Sequence, residues 1–394
     1  CNVVINLRDD AGLKKALVVA GTRPEIIKLS RVLSALSRRD IPYNFIYVGQ
    51  HRDYEMSSQF IQELKLPVYT YKVLPSKLIT PASQTAHIMT SVERSIVQLE
   101  PSLVIVQGDT NTTLAASIAA AKQPVPIAHI EAGLRSYDWR MPEEHNRRMV
   151  DHISTLLFAP TRRSGWNLFK ECVIGATFIT GNTVIDSVIH YLPVAQRYSK
   201  IMDEIRYDEY ILATFHRAEN VDNPSFLADL MDVMKELPLP VIFPIHPRTL
   251  KRLREYGLMK RLKNLSHKVQ VLPPLGYFDF LVAMKNCHLI MTDSGGVQEE
   301  ATAPGIRKMT VVVRKSTERP EAIEAGYAKL AGVEKEKILE AIHISLKMLP
   351  PNGSSPFGDG NASEIIASII NDFLLGGKTS RDFYKTFINR KPNR

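Results

Sequence analysis

Residues 288–300 read His-Leu-Ile-Met-Thr-Asp-Ser-Gly-Gly-Val-Gln-Glu-Glu. The apolar run at 288–292 has the length of a buried strand. It breaks at Asp293-Ser294-Gly295-Gly296, and a helical stretch over 299–303 follows. Strand, glycine turn and helix in that order make one unit of a parallel β/α sheet. Such a turn leaves bare backbone N–H groups of Ser294, Gly295 and Gly296 at the positive end of a helix, which suits a diphosphate. Glu300, about one helical turn on, places a carboxylate for two ribose hydroxyls. Taken alone, a tight turn followed by two surface glutamates, Glu299 and Glu300, fits the same residues equally well.

The alternation continues outward from this unit. Strand patterns lie at 16–20, 44–49, 103–107, 126–130, 155–159 and 177–180, with helical patterns such as 25–37 and 113–121 between them. A second series follows Gly181, with strands at 210–214, 240–245, 269–272, 288–292 and 310–313 and helices such as 226–235. Two successive series imply an α/β chain of two Rossmann-like domains with a cleft between them. The expected division is 1–181 and 182–362, with a final helix at 363–374, inside 363–377, and a tail at 378–394.

A chain of 394 residues is too long for one small core, which fits two domains. No apolar run approaches the ~20 residues that span a bilayer, so no membrane insertion is expected. Residues 1–15 mix apolar and charged types and do not read as a secretory signal, which points to the cytoplasm. Cys1, Cys172 and Cys287 form no C-x-x-C pair, which argues against a zinc ribbon or a disulfide framework. Cys172 and Cys287 have apolar neighbours and read as inert core thiols.

The net charge is +9, but residues 378–394 hold six bases against the single acid Asp382, or +5 of it. A basic end of this kind reads as a solvated tail rather than a nucleic-acid reader, and the remaining +4 suits an anionic ligand.

In open α/β sheets, ligands sit at the carboxyl ends of strands. The first such turn, Gly21-Thr22-Arg23-Pro24-Glu25, is neither G-x-G-x-x-G nor a Walker loop, so neither a dinucleotide nor ATP is signalled. Arg23 and Lys28 are candidates to attract an anion, although Lys28 also reads as an ordinary solvated helix residue. Three further loops deliver acids: Asp109 after Gly108, Glu131 after Ile130, and Glu143 in Pro142-Glu143-Glu144. His216-Arg217 and His246 end strands of the second series. Each has a bland explanation. Asp109 could cap the next helix, Glu131 could pair with Arg135, and His216 could be a satisfied buried histidine. Three acids on one rim facing a histidine on the other are harder to explain that way. The residues lack metal-ligand spacing, and no serine-nucleophile elbow occurs.

Together these motifs resemble the non-hydrolysing UDP-N-acetylglucosamine 2-epimerases. The resemblance rests on Gly21-Thr22-Arg23-Pro24-Glu25, Gly49-Gln50-His51-Arg52, Gly108-Asp109-Thr110 and His129-Ile130-Glu131-Ala132-Gly133-Leu134-Arg135. It continues through Pro142-Glu143-Glu144, Gly181-Asn182-Thr183, His216-Arg217-Ala218-Glu219-Asn220, Asp293-Ser294-Gly295-Gly296 and Thr317-Glu318-Arg319-Pro320-Glu321. The form Phe-His-Arg-Ala-Glu-Asn at 215–220 is similar to the archaeal branch.

The resemblance implies the two-domain fold of GT-B-type glycosyltransferases, with the last helix returning to the first domain. It implies cofactor-free interconversion of UDP-GlcNAc and UDP-ManNAc in a homodimer, with UDP eliminated and re-added through 2-acetamidoglucal. It assigns Asp109, Glu131, Glu143 and His216 to catalysis, and Arg23, Lys28, Phe280, Ser294, Gly295, Gly296, Glu300 and Arg319 to the nucleotide sugar. It also places Gln50, Arg217 and His246 where a second, activating UDP-GlcNAc would bind. The alternatives are a hydrolysing epimerase, a glycosyltransferase of the same fold and a nucleotide-sugar-binding regulator. No nucleic-acid partner is expected.

Overall fold

The computed structural model describes residues 14–50, 64, 66, 70–74 and 80–376. Among these, the strands form two wholly parallel sheets. The first has the order β3-β2-β1-β4-β5-β6-β7, built from Ala16–Ala20 (β1), Tyr43–Gln50 (β2), Thr70–Leu74 (β3), Leu103–Gln107 (β4), Ile127–Ile130 (β5), Leu156–Ala159 (β6) and Ala176–Ile179 (β7). The second has the order β10-β9-β8-β11-β12-β13, built from Ile211–Thr214 (β8), Val241–Pro244 (β9), Val269–Leu272 (β10), Leu289–Thr292 (β11), Thr310–Val312 (β12) and Ala328–Leu330 (β13).

Helices cover both faces, so the central strands are apolar throughout: every residue of Ala-Leu-Val-Val-Ala in β1 is buried. Val18 pairs with Phe45 on one side and Ile105 on the other, and Leu212 of β8 lies between Ile242 and Ile290. In each sheet the winding reverses beside the first strand of the series, between β1 and β4 and between β8 and β11. A doubly wound sheet opens its ligand crevice outside the carboxyl ends at that point. Two such Rossmann-like units fix where the chemistry must be sought.

One hydrophobic cluster links the units, taking Ala16 and Val18 from the first sheet and Leu212 and Ile290 from the second. The helix Thr183–Tyr198 contributes Val184, Ile185, Val188, Tyr191, Leu192 and Ala195 to it. The last helix, Ala362–Leu374, adds Ile366, Ala367, Ile370 and Leu374, and its Glu364 pairs with Arg38 and Arg39 at the end of the helix Arg23–Arg38. The two passages of the chain between the sheets touch. Asn182 donates its backbone N–H to Phe357 O at 2.7 Å. Beside this contact Gly181 (φ +87°) and Gly358 (φ +123°) pack so closely that a Cβ on Gly358 would stand 3.2 Å from Gly181 Cα.

Three expectations need correction. The edge strands β3 and β13 escape the sequence pattern, since both are short and carry a lysine in mid-run. The helix after the glycine turn spans Gly295–Glu300 rather than 299–303, starting on the glycines themselves and ending before Pro304-Gly305, where φ turns positive. Cys172 is exposed, because its apolar neighbours Phe169 and Ile174 face solvent at 60% and 78% exposure, whereas Cys287 is buried and its thiol is pushed up to about 12.

Candidate active site

The carboxyl end of β1 is tied to that of β4 by Glu25. Its Oε2 accepts the backbone N–H groups of Gly21 and Thr22 at 2.6 and 2.8 Å, and its Oε1 accepts the hydroxyls of Thr110 and Thr113. One turn on, Lys28 is buried rather than solvated. It meets Glu131 Oε2 at 2.5 Å and Glu299 Oε2 at 3.3 Å. Burial disfavours its charge, but the two carboxylates outweigh that and raise its pKa.

After β4, Thr110 rather than Asp109 caps the helix Asn111–Lys122, accepting from Thr113 N. Asp109 is thereby left free of a capping role. Its Oδ2 accepts Nε and Nη2 of Arg147 at 2.8 and 2.7 Å. Burial pushes the Asp109 carboxyl up, but Arg147, followed by Arg217 and Arg319, holds it below the usual range.

After β5, Glu131 sits at φ +71°, a left-handed conformation rare for a residue with a side chain and typical of functional sites. Its Oε1 accepts Arg319 Nη2 at 2.6 Å, and its Oε2 accepts Lys28 and the Gln107 amide. Arg135 does not pair with Glu131. It pairs with Asp151 and Glu171, both at 2.7 Å. The buried His129 lies between Asp151 Oδ1 and Gly108 O, each 2.8 Å away, and so braces the loop that carries Asp109.

The helix Pro142–Ile153 carries Glu143 in its first turn, partly exposed and 3.9 Å from Arg217. Glu144 points inward instead, accepting Ser136 N and Arg147 Nη1. Arg147 thus joins Asp109 to this helix, a role the sequence reading missed. The available signal was Glu144, Arg147 and Asp151, charged residues at helical spacing on one face that proves to be buried.

On the second sheet, Asp293 ties β8 to β11 by accepting the backbone N–H groups of His216 and Arg217 and the Asn220 amide. Burial, with Arg217, Arg248 and Arg314, pushes His216 down to about 4, so it is neutral at neutral pH. The His246 ring lies 5.2 Å from that of His216 and is likewise pushed down to about 4, chiefly by burial. Arg23 from the first sheet is close enough to contribute to that depression.

Ser294, Gly295 and Gly296 open their helix at the end of β11. A Cβ on Gly295 would stand 2.5 Å from Glu318 Oε1, whereas Gly296 faces open space. Glu299 and Glu300 are buried, which excludes a surface role for either. Burial pushes Glu300 up to about 8. Arg319 bonds Glu131 and Glu299 together. Glu318 is held well below the usual carboxylate range because Arg314, Arg319 and Arg217 outweigh its burial.

Asp109, Glu131 and Glu143 therefore each face a guanidinium, from Arg147, Arg319 and Arg217 respectively, where the two crevices meet. A cavity of about 790 Å³ is lined in part by Glu143, Arg217, Glu219, Lys315 and Ser316, and of the three acids only Glu143 lines it. Phe280 is not drawn into this network. It packs partly on the apolar cluster, and no hydrogen bond, ion pair or ring contact among the described residues ties it to another candidate. Gln50 closes β2, but its side chain, with His51 and Arg52, lies outside the described residues. No group of histidine, cysteine and acidic residues able to hold a metal occurs among the described residues, nor any helix long and apolar enough to cross a membrane.

A sequence model described as UDP-N-acetylglucosamine 2-epimerase matches residues 34–371. The UDP-N-acetylglucosamine 2-epimerase of Methanocaldococcus jannaschii is 40% identical over 365 residues, covering 90% of this chain and 98% of that protein. The crystal structure of UDP-GlcNAc 2-epimerase from the same organism, in complex with UDP-GlcNAc and UDP, matches with a TM-score of 0.84 over 91% of this chain and 99% of that one, at 40% identity. The UDP-2,3-diacetamido-2,3-dideoxy-D-glucuronate 2-epimerase of Pseudomonas aeruginosa is 37% identical over 90% of this chain and 99% of that protein.

Proposed function

This chain belongs to the UDP-N-acetylglucosamine 2-epimerase family, and we propose that it interconverts UDP-GlcNAc and UDP-ManNAc without hydrolysing either. The reading is supported by the ion pairs that join the two domains, Glu131 with Arg319 and Glu143 with Arg217, beside Asp109 on Arg147 and the helix opened by Ser294-Gly295-Gly296. The C2 proton of an acetamido sugar has no carbonyl beside it and is too weak an acid for simple removal. Breaking the C1–O bond as that proton leaves makes the step feasible, because UDP departs with the bonding pair and 2-acetamidoglucal remains. Return of UDP to C1, with a proton delivered to the other face of C2, gives the epimer.

Glu131 serves as one acid/base in this scheme, with Asp109 and Glu143 as the other two carboxylates of the site. General acid–base help contributes ~10²–10⁴-fold per group. The depressed carboxyl of Asp109 favours its ionised form at rest. His216, neutral at rest, lies toward the leaving diphosphate. Arg23, Lys28, Arg319 and the backbone of Ser294, Gly295 and Gly296 stabilise the departing charge, as preorganised donors do in a water-poor cleft. Glu300 holds the ribose and Phe280 flanks the uracil. The enzyme works as a cytoplasmic homodimer, and a second UDP-GlcNAc at Gln50, Arg217 and His246 activates it.

Product analysis tests the assignment. UDP-GlcNAc incubated with the protein yields UDP-ManNAc and an equilibrium mixture from either side. Accumulation of free ManNAc and UDP rejects it in favour of a hydrolysing enzyme. Conversion of a 2,3-diacetamido uronate substrate alone assigns the chain to the chemistry of the Pseudomonas relative. Activation is tested by a lag or sigmoidal rate with UDP-ManNAc alone.

A further inference from the structure

Four buried charges close a ring between the two sheets. Lys28 Nζ lies 2.5 Å from Glu131 and 3.3 Å from Glu299. Arg319 meets Glu131 through Nη2 at 2.6 Å and Glu299 through Nε. Each carboxylate touches both cations, and the ring sums to zero. Two corners come from the first sheet and two from the second. Glu299 is 0% exposed and lies on the helix opened by Ser294-Gly295-Gly296. The Asn182 amide, beside the paired passages between the domains, donates to its Oε1 at 2.9 Å. Nothing in the mechanism above uses Glu299.

We infer that Glu299 is a positioning residue, the standing counter-ion that keeps Lys28 and Arg319 at the cleft while Glu131 changes charge. This rests on the proposed role of Glu131 as the group that takes the C2 proton. In that step the C2–H bond breaks and its electron pair forms the C1–C2 double bond. The C1–O pair leaves on the oxygen of UDP, and the proton goes to Glu131. Glu131 becomes neutral, so the ring carries +1 just as the diphosphate gains a negative charge. Glu299 remains to hold both cations, and the surplus faces the leaving group. When Glu131 gives its proton up, to carbon in the reverse reaction or to solvent after turnover, the ring is neutral again.

Without Glu299, Glu131 would be the only anion among the described residues that touches both cations. Its protonation would then leave Lys28 uncompensated and Arg319 with only Glu318, 3.9 Å away, a costly state in a low-dielectric interior.

The inference separates a charge role from a structural one by the sign of a binding change. Glu299→Gln leaves the ring with +1 at rest. It is expected to lower kcat at least tenfold while tightening UDP binding at least threefold by calorimetry on the full chain. Glu299→Asp keeps the charge and is expected to hold the UDP Kd within twofold of wild type with kcat above one-tenth. If Glu299→Gln does not fold, the Asp variant alone decides, and a larger loss in either constant overturns the inference. An unchanged kcat in Glu299→Gln, or UDP bound no tighter than by wild type, overturns it as well. A wild-type protein that binds UDP but converts no UDP-GlcNAc removes the reading of function itself, and the inference falls with it.

Discussion

Arg147 holds Asp109 by one oxygen only: Nε and Nη2 both reach Oδ2, and no hydrogen bond among the described residues reaches Oδ1. The guanidinium fixes the carboxylate and keeps it ionised without occupying the atom that could accept a proton. Burial alone would push this acid the other way.

Replacing Arg147 by Gln should therefore leave burial opposed only by the weaker pull of Arg217 and Arg319 and raise the Asp109 pKa. A carboxylate beside an arginine is typically lowered by about 1–3 units, and the acid limb of kcat should move to higher pH by a shift of that order. Asp109→Asn should instead lower kcat by ~10²–10⁴-fold at all pH values, the usual worth of a general acid or base. Both are read from pH–rate profiles. An unmoved limb in Arg147→Gln would show that Asp109 does not titrate in turnover.

UDP binding should release a proton below pH 8. Free Glu300 is pushed up to about 8 by burial and so is largely protonated at pH 7.5. Accepting two ribose hydroxyls favours its ionised form, which must shed that proton. Calorimetry in two buffers of different ionisation enthalpy measures the release. Glu300→Gln should abolish it, and the same release from that variant would place the proton elsewhere.

The two glycines of the phosphate turn should separate folding from binding. A Cβ on Gly295 stands 2.5 Å from Glu318 Oε1, on a carboxylate whose other oxygen, Oε2, is pinned by Arg314. Gly295→Ala should lower both the melting temperature and UDP affinity. A Cβ on Gly296 meets nothing within 4 Å, so Gly296→Ala should melt like wild type yet bind UDP at least tenfold more weakly. Wild-type affinity in Gly296→Ala would place the diphosphate away from this turn.

His216 should make the fold acid-sensitive. Its folded pKa of about 4 lies below an ordinary histidine near 6.5, because of burial and Arg217, Arg248 and Arg314, with His246 and Asp293 also facing it. The unfolded chain takes up a proton first as pH falls. The contribution is thus intact above about 6.5 and is lost as pH falls toward 4. Urea midpoints at pH 7 and pH 5 should differ less in His216→Asn than in wild type. Equal differences would mean that this ring does not feel its arginines.

The buried central strands are legible in the sequence because both of their faces are apolar, as in Ala16–Ala20 and Leu103–Gln107. The edge strands β3 and β13 are not, since each is short and a lysine interrupts the run, whereas the edge strands β7 and β10, without one, are. The strand-end loops are legible as sites because a parallel sheet presents its ligands there.

What joins those loops is not legible. Glu131 meets Lys28 across 103 positions and Arg319 across 188, and no local spacing announces either contact. The burial of Lys28 and Glu299 follows from the closing of one domain on the other, so each residue looks like a surface charge when read on its own helix. Cys172 errs in the opposite sense, because apolar neighbours in sequence do not guarantee a covered surface.

The central claim is that C2 loses its proton to the protein and regains one from it. UDP-GlcNAc incubated in deuterated water and followed by NMR at C2 tests this directly. The account expects deuterium at C2 of all UDP-ManNAc formed, and progressively at C2 of the recovered UDP-GlcNAc. UDP-ManNAc formed with its original hydrogen retained at C2 would contradict it.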